Sequence, residues 1–257
     1  VTAAGTTGAP RTDRTEGTRD AIMAAAERLF AEHGLSAVSH RQIAQAAGQR
    51  NVTAVSYHFG TRTELVRAIM TRHGERADLF RERYVALAEG SDEIRDWVVA
   101  LVRPVPEYLA SLGHPSWNAR LSVQVMTDPT MRTLVTEQAI ARPNLRRVLD
   151  GLGRRLAHLS PEVRVARGEM ARHLIVHTCA HREGALAANT GVPPASWDRT
   201  AAALTDAIAG LLTAPAALHS PAAFHSPVTL HSSATLHSPE RAHPETAHGE
   251  TKGRHLT

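Results

Sequence analysis

The stretch AAGQRNVTAVSYHFGTRTELV, residues 46–66, decides the fold. It holds a polar turn, then Tyr57, His58 and Phe59 in a row, then Thr61 followed three places on by Glu64. Ser or Thr with Glu or Gln at that spacing is a capping box, in which each residue satisfies a free N–H of the other's helix end. To its left, SHRQIAQAAG carries the same device as Ser39 with Gln42, so a short helix starts at Ser39 and stops at Gly48. NVTAVSYHF has the length of two helical turns. Two short helices joined by a tight turn of about four residues make a helix-turn-helix when they cross steeply.

In such a unit the second helix enters the DNA major groove. Thr53, Ala54 and Ser56 are small and allow close approach. Asn51 and Thr53 suit base edges, and Ala54 suits a thymine methyl. Tyr57 and His58 offer donors near the helix end, while Val55 and Phe59 anchor the helix to its domain. Arg62 opens the next helix, where its charge and free N–H groups suit a phosphate. Ser39, Arg41 and Arg50 complete the expected DNA-facing set. Between His40 and Arg72 the cations are Arg41, Arg50, Arg62, Arg67 and Arg72, against Glu64 alone. That local excess points to a polyanion more strongly than the whole-chain charge of +4 does. Read without their neighbours, Tyr57, His58 and Phe59 equally suit the core of an ordinary small helix.

Outward from this unit the pattern is helical throughout. Ile22, Ala26, Leu29 and Phe30 share a face that ends at Gly34. A long helix runs from Thr61 to about Ala88, marked by Leu65, Ile69, Leu79, Phe80 and Tyr84. Pro104 and Pro106 break SDEIRDWVVALVRPVPEYLASL, and SWNARLSVQVM forms a short amphipathic helix. Asp128-Pro129 starts the next helix, which Pro143 kinks or divides, and Ser160-Pro161-Glu162 starts another. Trp197, Ala201, Leu204, Ile208 and Leu211 stand at 4-3-4-3 spacing, a helix–helix seam within or between subunits. The expected fold is all-α, with about nine helices. Residues 1–17 read as a disordered arm, 18–66 as the helix-turn-helix domain and 67–213 as a second helical domain. Residues 214–257 read as a disordered tail, in which His219, His225, His231, His237 and His243 recur six apart among prolines.

AAAERLFAEHGLSAVSHRQIAQAAG followed by VSYHFGTRTELV resembles the N-terminal domain of TetR-type transcriptional regulators over residues 18–66. The shared pattern is a helix ending in Phe-x-x-x-Gly, one ending in Ala-x-x-Ala-Gly, and then Tyr-His-Phe. GQRNVTAVSY is one residue longer than the family's common turn, and Arg62 stands where the family has Lys. The resemblance implies a homodimer with two DNA-binding heads on a pseudo-palindromic double-stranded operator. It also implies a C-terminal domain that dimerises and binds a small-molecule inducer. The function expected is a transcriptional repressor released by an apolar or amphipathic ligand, with no catalytic residue and no cofactor.

Composition narrows the setting. Aromatics make up 4% of the 257 residues, and the single Cys179 excludes an intramolecular disulfide. No run of about twenty apolar residues suits a membrane span, and the N-terminus lacks an apolar signal core, so a cytoplasmic protein is expected. Mixed aromatic and polar residues suit ligand pockets, which makes Trp97, Leu101, Tyr108, Trp117, Leu121 and Gln124 the candidate pocket, with His173 and His177 beside them. Ile175 and Cys179 join the Trp197–Leu211 seam as the candidate dimer interface. His173, His177 and His181 lie four apart on one helix face, the basis of an alternative reading as a helical metal-binding or hydrolytic enzyme. HLIVH has the two-histidine spacing of zinc proteases, but Leu174 stands where their glutamate is needed, so no metal site is assigned.

Overall fold

The computed structural model describes residues 11–188 and 197–215. The expected tail from residue 216 on and the first ten residues of the expected arm lie outside them. Eleven α-helices and no strand occur among the described residues. They are α1 (Arg11–His33), α2 (His40–Ala46), α3 (Ala54–Phe59), α4 (Arg62–Ala88), α5 (Ile94–Val102), α6 (Pro104–Ser111), α7 (Asn118–Thr127), α8 (Pro129–Ile140), α9 (Pro143–Arg155), α10 (Pro161–Ala187) and α11 (Trp197–Thr213). No described helix is long and apolar enough to cross a membrane.

The described residues hold more than nine helices because both proline sites divide rather than bend. Pro104 and Pro143 sit at the first turns of α6 and α9, where a missing N–H costs nothing. α1 corrects the expected arm: it begins at Arg11, so residues 11–17 are helix. They carry no apolar face to reveal it. Extension of a helix already nucleated downstream needs only one bond per residue fixed, and Arg and Glu are good helix formers.

Ile22, Met23, Ala26 and Phe30 of α1 pack on Ile43, Val55, Phe59, Leu65, Val66 and Ile69 to make the head core. That cluster does not stop at the head. Leu121, Val125 and Met126 of α7 and Met131 and Val135 of α8 belong to it. A second core gathers α5, α9, α10 and α11 around Trp97, Val98, Val148, Leu204 and Ile208. α4 contributes Leu65 to Ile69 to the first cluster and Val85 and Ala88 to the second, so one rod spans both.

The α11 seam belongs to this second core. Ala201, Leu204 and Ile208 are buried in the protomer, as are Ile175 and Cys179, while Trp197 and Leu211 are half-buried against the same cluster. α11 packs on α5, α6 and α10. Five of the seven expected interface residues are thus internal, because heptad-like spacing marks a packed seam without saying which chain fills it.

Two glycines let large side chains lie against helix backbone. A β-carbon at Gly74 of α4 would overlap the Arg142 guanidinium, and one at Gly151 of α9 would overlap the Trp97 ring.

Candidate nucleic-acid interface and ligand cavity

Ser39 caps α2 as its sequence promised. Its hydroxyl accepts from the Gln42 N–H at 3.3 Å, and the Ser39 N–H donates to Gln42 Oε1 at 2.8 Å. α2 ends at Ala46, Gly48 takes a positive φ of 68°, and α3 starts only at Ala54. The connection is residues 47–53, longer than the four-residue turn expected. Asn51 explains its second half: Oδ1 accepts both the Thr53 N–H at 2.9 Å and the Thr53 hydroxyl at 2.7 Å. This side-chain turn competes with helix and delays the start of α3.

Val55 and Phe59, four apart, are buried and fix α3 to the head. The opposite face carries exposed Thr53, Ser56 and Tyr57, with Ala54 and His58 half-buried. Tyr57 is 84% exposed and its ring meets His58 edge-on at 5.1 Å. A tyrosine displayed so fully on a short, rigidly anchored helix is available to a partner surface. Ser39, Arg41, Arg50 and Asn51 are exposed as well. α2, the turn and α3 therefore bring together nine of the ten expected residues.

Arg62 is the tenth, and it turns inward. Its Nη2 donates to the Val38 carbonyl at 2.8 Å and its Nε is buried. The carbonyl before a helix cap needs a donor, and Arg62 supplies it, which removes this guanidinium from the phosphate role expected of it. Two further arginines of the local excess are also neutralised: Arg67 pairs with Glu64, and Arg72 with Asp20 of α1. Arg41 and Arg50 remain as the exposed cations with no ion pair among the described residues.

Two residues that sequence reasoning passed over complete the head. Arg19 of α1 donates to the His58 carbonyl at 2.9 Å and stacks on Phe59 at 4.2 Å, placing a cation at the C-terminus of α3. His40 Nδ1 lies 3.1 Å from the Ser56 hydroxyl and ties α2 to α3. Neither has a local signal, since each acts on a residue of another helix.

Below the head, a cavity of about 670 Å3 opens among α4 to α11. Its size suits a small organic ligand. Leu101 and Tyr108 line it, with Met70, His73, Ala119 and Leu152. The other expected pocket residues stand elsewhere. Trp97 is buried against Gly151, with the Arg155 guanidinium 4.9 Å from its ring. Trp117 donates from Nε1 to Glu32 of α1 at 3.3 Å, Leu121 sits in the head core, and Gln124 lies against Gly34 at the end of α1. His173, His177 and His181 are exposed on the outer face of α10. No group of three His, Cys, Asp or Glu able to hold a metal occurs among the described residues. Cys179 lines the cavity with its thiol pushed up to about 12 by burial and by nearby Glu183, so it stays protonated and unreactive at neutral pH.

Tyr108 links the cavity to the head. Its hydroxyl lies 2.6 Å from His73 Nδ1, and His73 Nε2 lies 2.8 Å from the Glu27 carboxylate of α1. Burial raises the tyrosine's pKa, which keeps it a donor. The chain crosses α6, α4 and α1, three helices that the sequence separates widely.

The sequence profile of the bacterial regulatory proteins, tetR family, matches residues 22–69, from α1 through the first turns of α4. No curated protein matches the chain. Among solved structures, a TetR family transcription regulator from Marinobacter aquaeolei is similar over 76% of this chain and 97% of its own, at 15% identity and a TM-score of 0.51. A putative transcriptional regulator from Streptomyces coelicolor is 25% identical over 76% of this chain and 98% of its own, with a TM-score of 0.42. PfmR, a TetR family regulator from Thermus thermophilus, is 20% identical over 74% of this chain and 94% of its own, at 0.46. The Marinobacter structure shares the fold, and the profile match covers the whole capped unit of residues 39–66. By that match, residues 22–69 form a helix-turn-helix unit of the bacterial tetR regulatory type, and the helices around it share the fold of the Marinobacter structure.

Proposed function

We propose that this protein is a cytoplasmic repressor that binds a pseudo-palindromic double-stranded operator as a homodimer and is released when a small molecule fills the cavity. The observation that carries this reading is α4. Leu65, Val66 and Ile69 of that helix form the floor of the head, and Met70, His73, Ala77 and Arg81 continue as cavity wall. At about 1.5 Å per residue the same rod reaches from α3 deep into the body. Two heads on one duplex must match one groove spacing, so a small tilt of α4 in each protomer spoils the fit. Arg41 and Arg50 hold phosphates, and Thr53, Ser56 and Tyr57 face the groove.

The dimer face is assigned to exposed residues of α10 and α11. Met170 and Leu174 are exposed apolar groups beside His173 and His177, and Ala203, Ala207 and Gly210 give α11 a smooth outer side. Leu174→Glu is expected to yield a folded monomer in light scattering and to lose operator binding.

A gel shift of the full chain with DNA upstream of its own gene tests the core of the proposal. A complex whose affinity falls steeply with salt supports it, and the absence of any preference over unrelated DNA sinks it. Linkage tests the switch: a ligand that releases DNA binds the operator complex more weakly by the same factor. Near-complete release requires a differential of about 10⁴-fold.

A further inference from the structure

The cavity wall is apolar along Leu101, Val105, Leu149 and Leu152, but its charged lining is unbalanced. Four guanidinium groups, Arg81, Arg142, Arg164 and Arg172, reach it against one carboxylate, Glu169. Arg172 already has partners, Glu169 at 3.5 Å and the Thr136 hydroxyl at 2.9 Å. Arg81 and Arg142 are different. Arg81 is 5% exposed, donates from Nη1 to Asp78 Oδ1 at 2.8 Å, and leaves Nε without a partner.

Asp78 is the one buried carboxylate near both guanidiniums, and its oxygens are committed. Oδ1 also accepts the Leu145 N–H at 3.0 Å, and Oδ2 accepts the Asn144 N–H at 3.1 Å. Those are free donors of the first turn of α9, so Asp78 is spent on holding a helix end. Arg142 lies flat over Gly74, and its described hydrogen bond is a long one, to the Met70 carbonyl at 3.4 Å. Exposed Glu75 adds only a solvent-screened attraction. Desolvation lowers the pKa of both arginines, yet a guanidinium stays charged at any physiological pH. One buried and one half-buried cation thus lie near a single carboxylate that two backbone N–H donors also use, a state that costs free energy until a further anion arrives.

We propose that the cavity takes an amphipathic organic anion, whose single carboxylate head meets Arg142 and Arg81 while its apolar chain lies along Leu101, Val105, Leu149 and Leu152. This rests on the reading of the cavity as the ligand site and names the chemistry that the site selects. A neutral ligand of the same shape leaves the charge deficit in place, and a cationic one deepens it. The occupant also explains the seat at Gly74: any side chain there would push Arg142 off the helix and out of reach of the head group.

Isothermal titration of the full chain with decanoate, decan-1-ol and decylammonium tests this. Decanoate is expected to bind about tenfold or more tighter than the alcohol, and the ammonium more weakly than either. Arg142→Met is expected to bring decanoate down to the alcohol's affinity and to leave the alcohol unchanged, whereas Arg142→Lys retains part of the preference. Thermal melts identify a variant that fails to fold, and Arg142→Gln then takes the place of Arg142→Met. Equal binding of acid and alcohol, an acid preference that survives loss of Arg142, or no binding by any of the three overturns the inference. Operator binding is read separately by gel shift, so a lost acid preference beside an intact operator complex refutes the anion and not the repressor.

Discussion

In the head, Ser39 caps α2 through Gln42 and Thr61 caps α4 through Glu64, each within three residues. In the body, α7 and α9 have no such side chain at their own N-termini. Glu183 of α10, 1% exposed, reaches α7 instead: it accepts the Ala119 N–H at 3.2 Å, the Arg120 N–H at 2.9 Å and the Ser116 hydroxyl at 2.9 Å. Asp78 of α4 does the same for α9. α8 and α10 keep local caps, Asp128 and Ser160. The two helices capped from a distance are both cavity walls. α2 and α4 therefore hold their own starts, whereas the starts of α7 and α9 depend on carboxylates lent by other helices. A DNA-reading unit needs one fixed geometry.

Substitutions can break this contrast, starting with the largest effect. Leu204→Glu places a charge in the protomer core and is expected to cost about 4 kcal/mol or more of folding stability. It should unfold the body rather than release a folded monomer, and circular dichroism beside light scattering separates the two outcomes. Glu183→Ala removes four hydrogen bonds around the start of α7 and is expected to cost about 3 kcal/mol by denaturant unfolding. Ser39→Ala removes a local cap and should cost about 1 kcal/mol. If Ser39→Ala proves the costlier of these two, the contrast between self-held and borrowed caps is wrong. Arg50→Ala should move stability by no more than about 0.5 kcal/mol, while the salt dependence of operator binding flattens by about one unit of slope. Arg62→Ala, by contrast, should lower the stability of the head through the lost Val38 contact.

The same contrast explains what the sequence disclosed. The head was legible because capping boxes, Gly34 and Gly48, and the Val55–Phe59 spacing all act within a few residues. The start of α4 at Arg62 and its end at Ala88 followed from such local signals. Arg62 itself was misplaced because its partner, the Val38 carbonyl, lies 24 residues away. The cavity was legible only at Leu101 and Tyr108. Trp97 and Trp117 have the residue type that ligands favour, but Gly151 and Glu32 claim them, and no window of sequence reveals such distant claims. The α11 seam was found by its spacing, yet its partners are helices of the same protomer, a fact that periodicity does not encode.

Gly74 and Gly151 have a consequence for anyone who wishes to stabilise this protein by simplifying its sequence. Replacing a mid-helix glycine by alanine ordinarily gains about 0.5–1 kcal/mol, because the unfolded chain loses freedom. That rule changes sign over two residues of α9. At Gly153 a β-carbon meets nothing within 4 Å, so the ordinary gain applies. At Gly151 the new methyl occupies the space of the Trp97 ring and must displace a side chain that is 3% exposed. Gly74 behaves in the same way toward Arg142. A consensus of good helix formers written through α4 and α9 would raise the intrinsic helicity of both and lower the stability of the molecule that contains them.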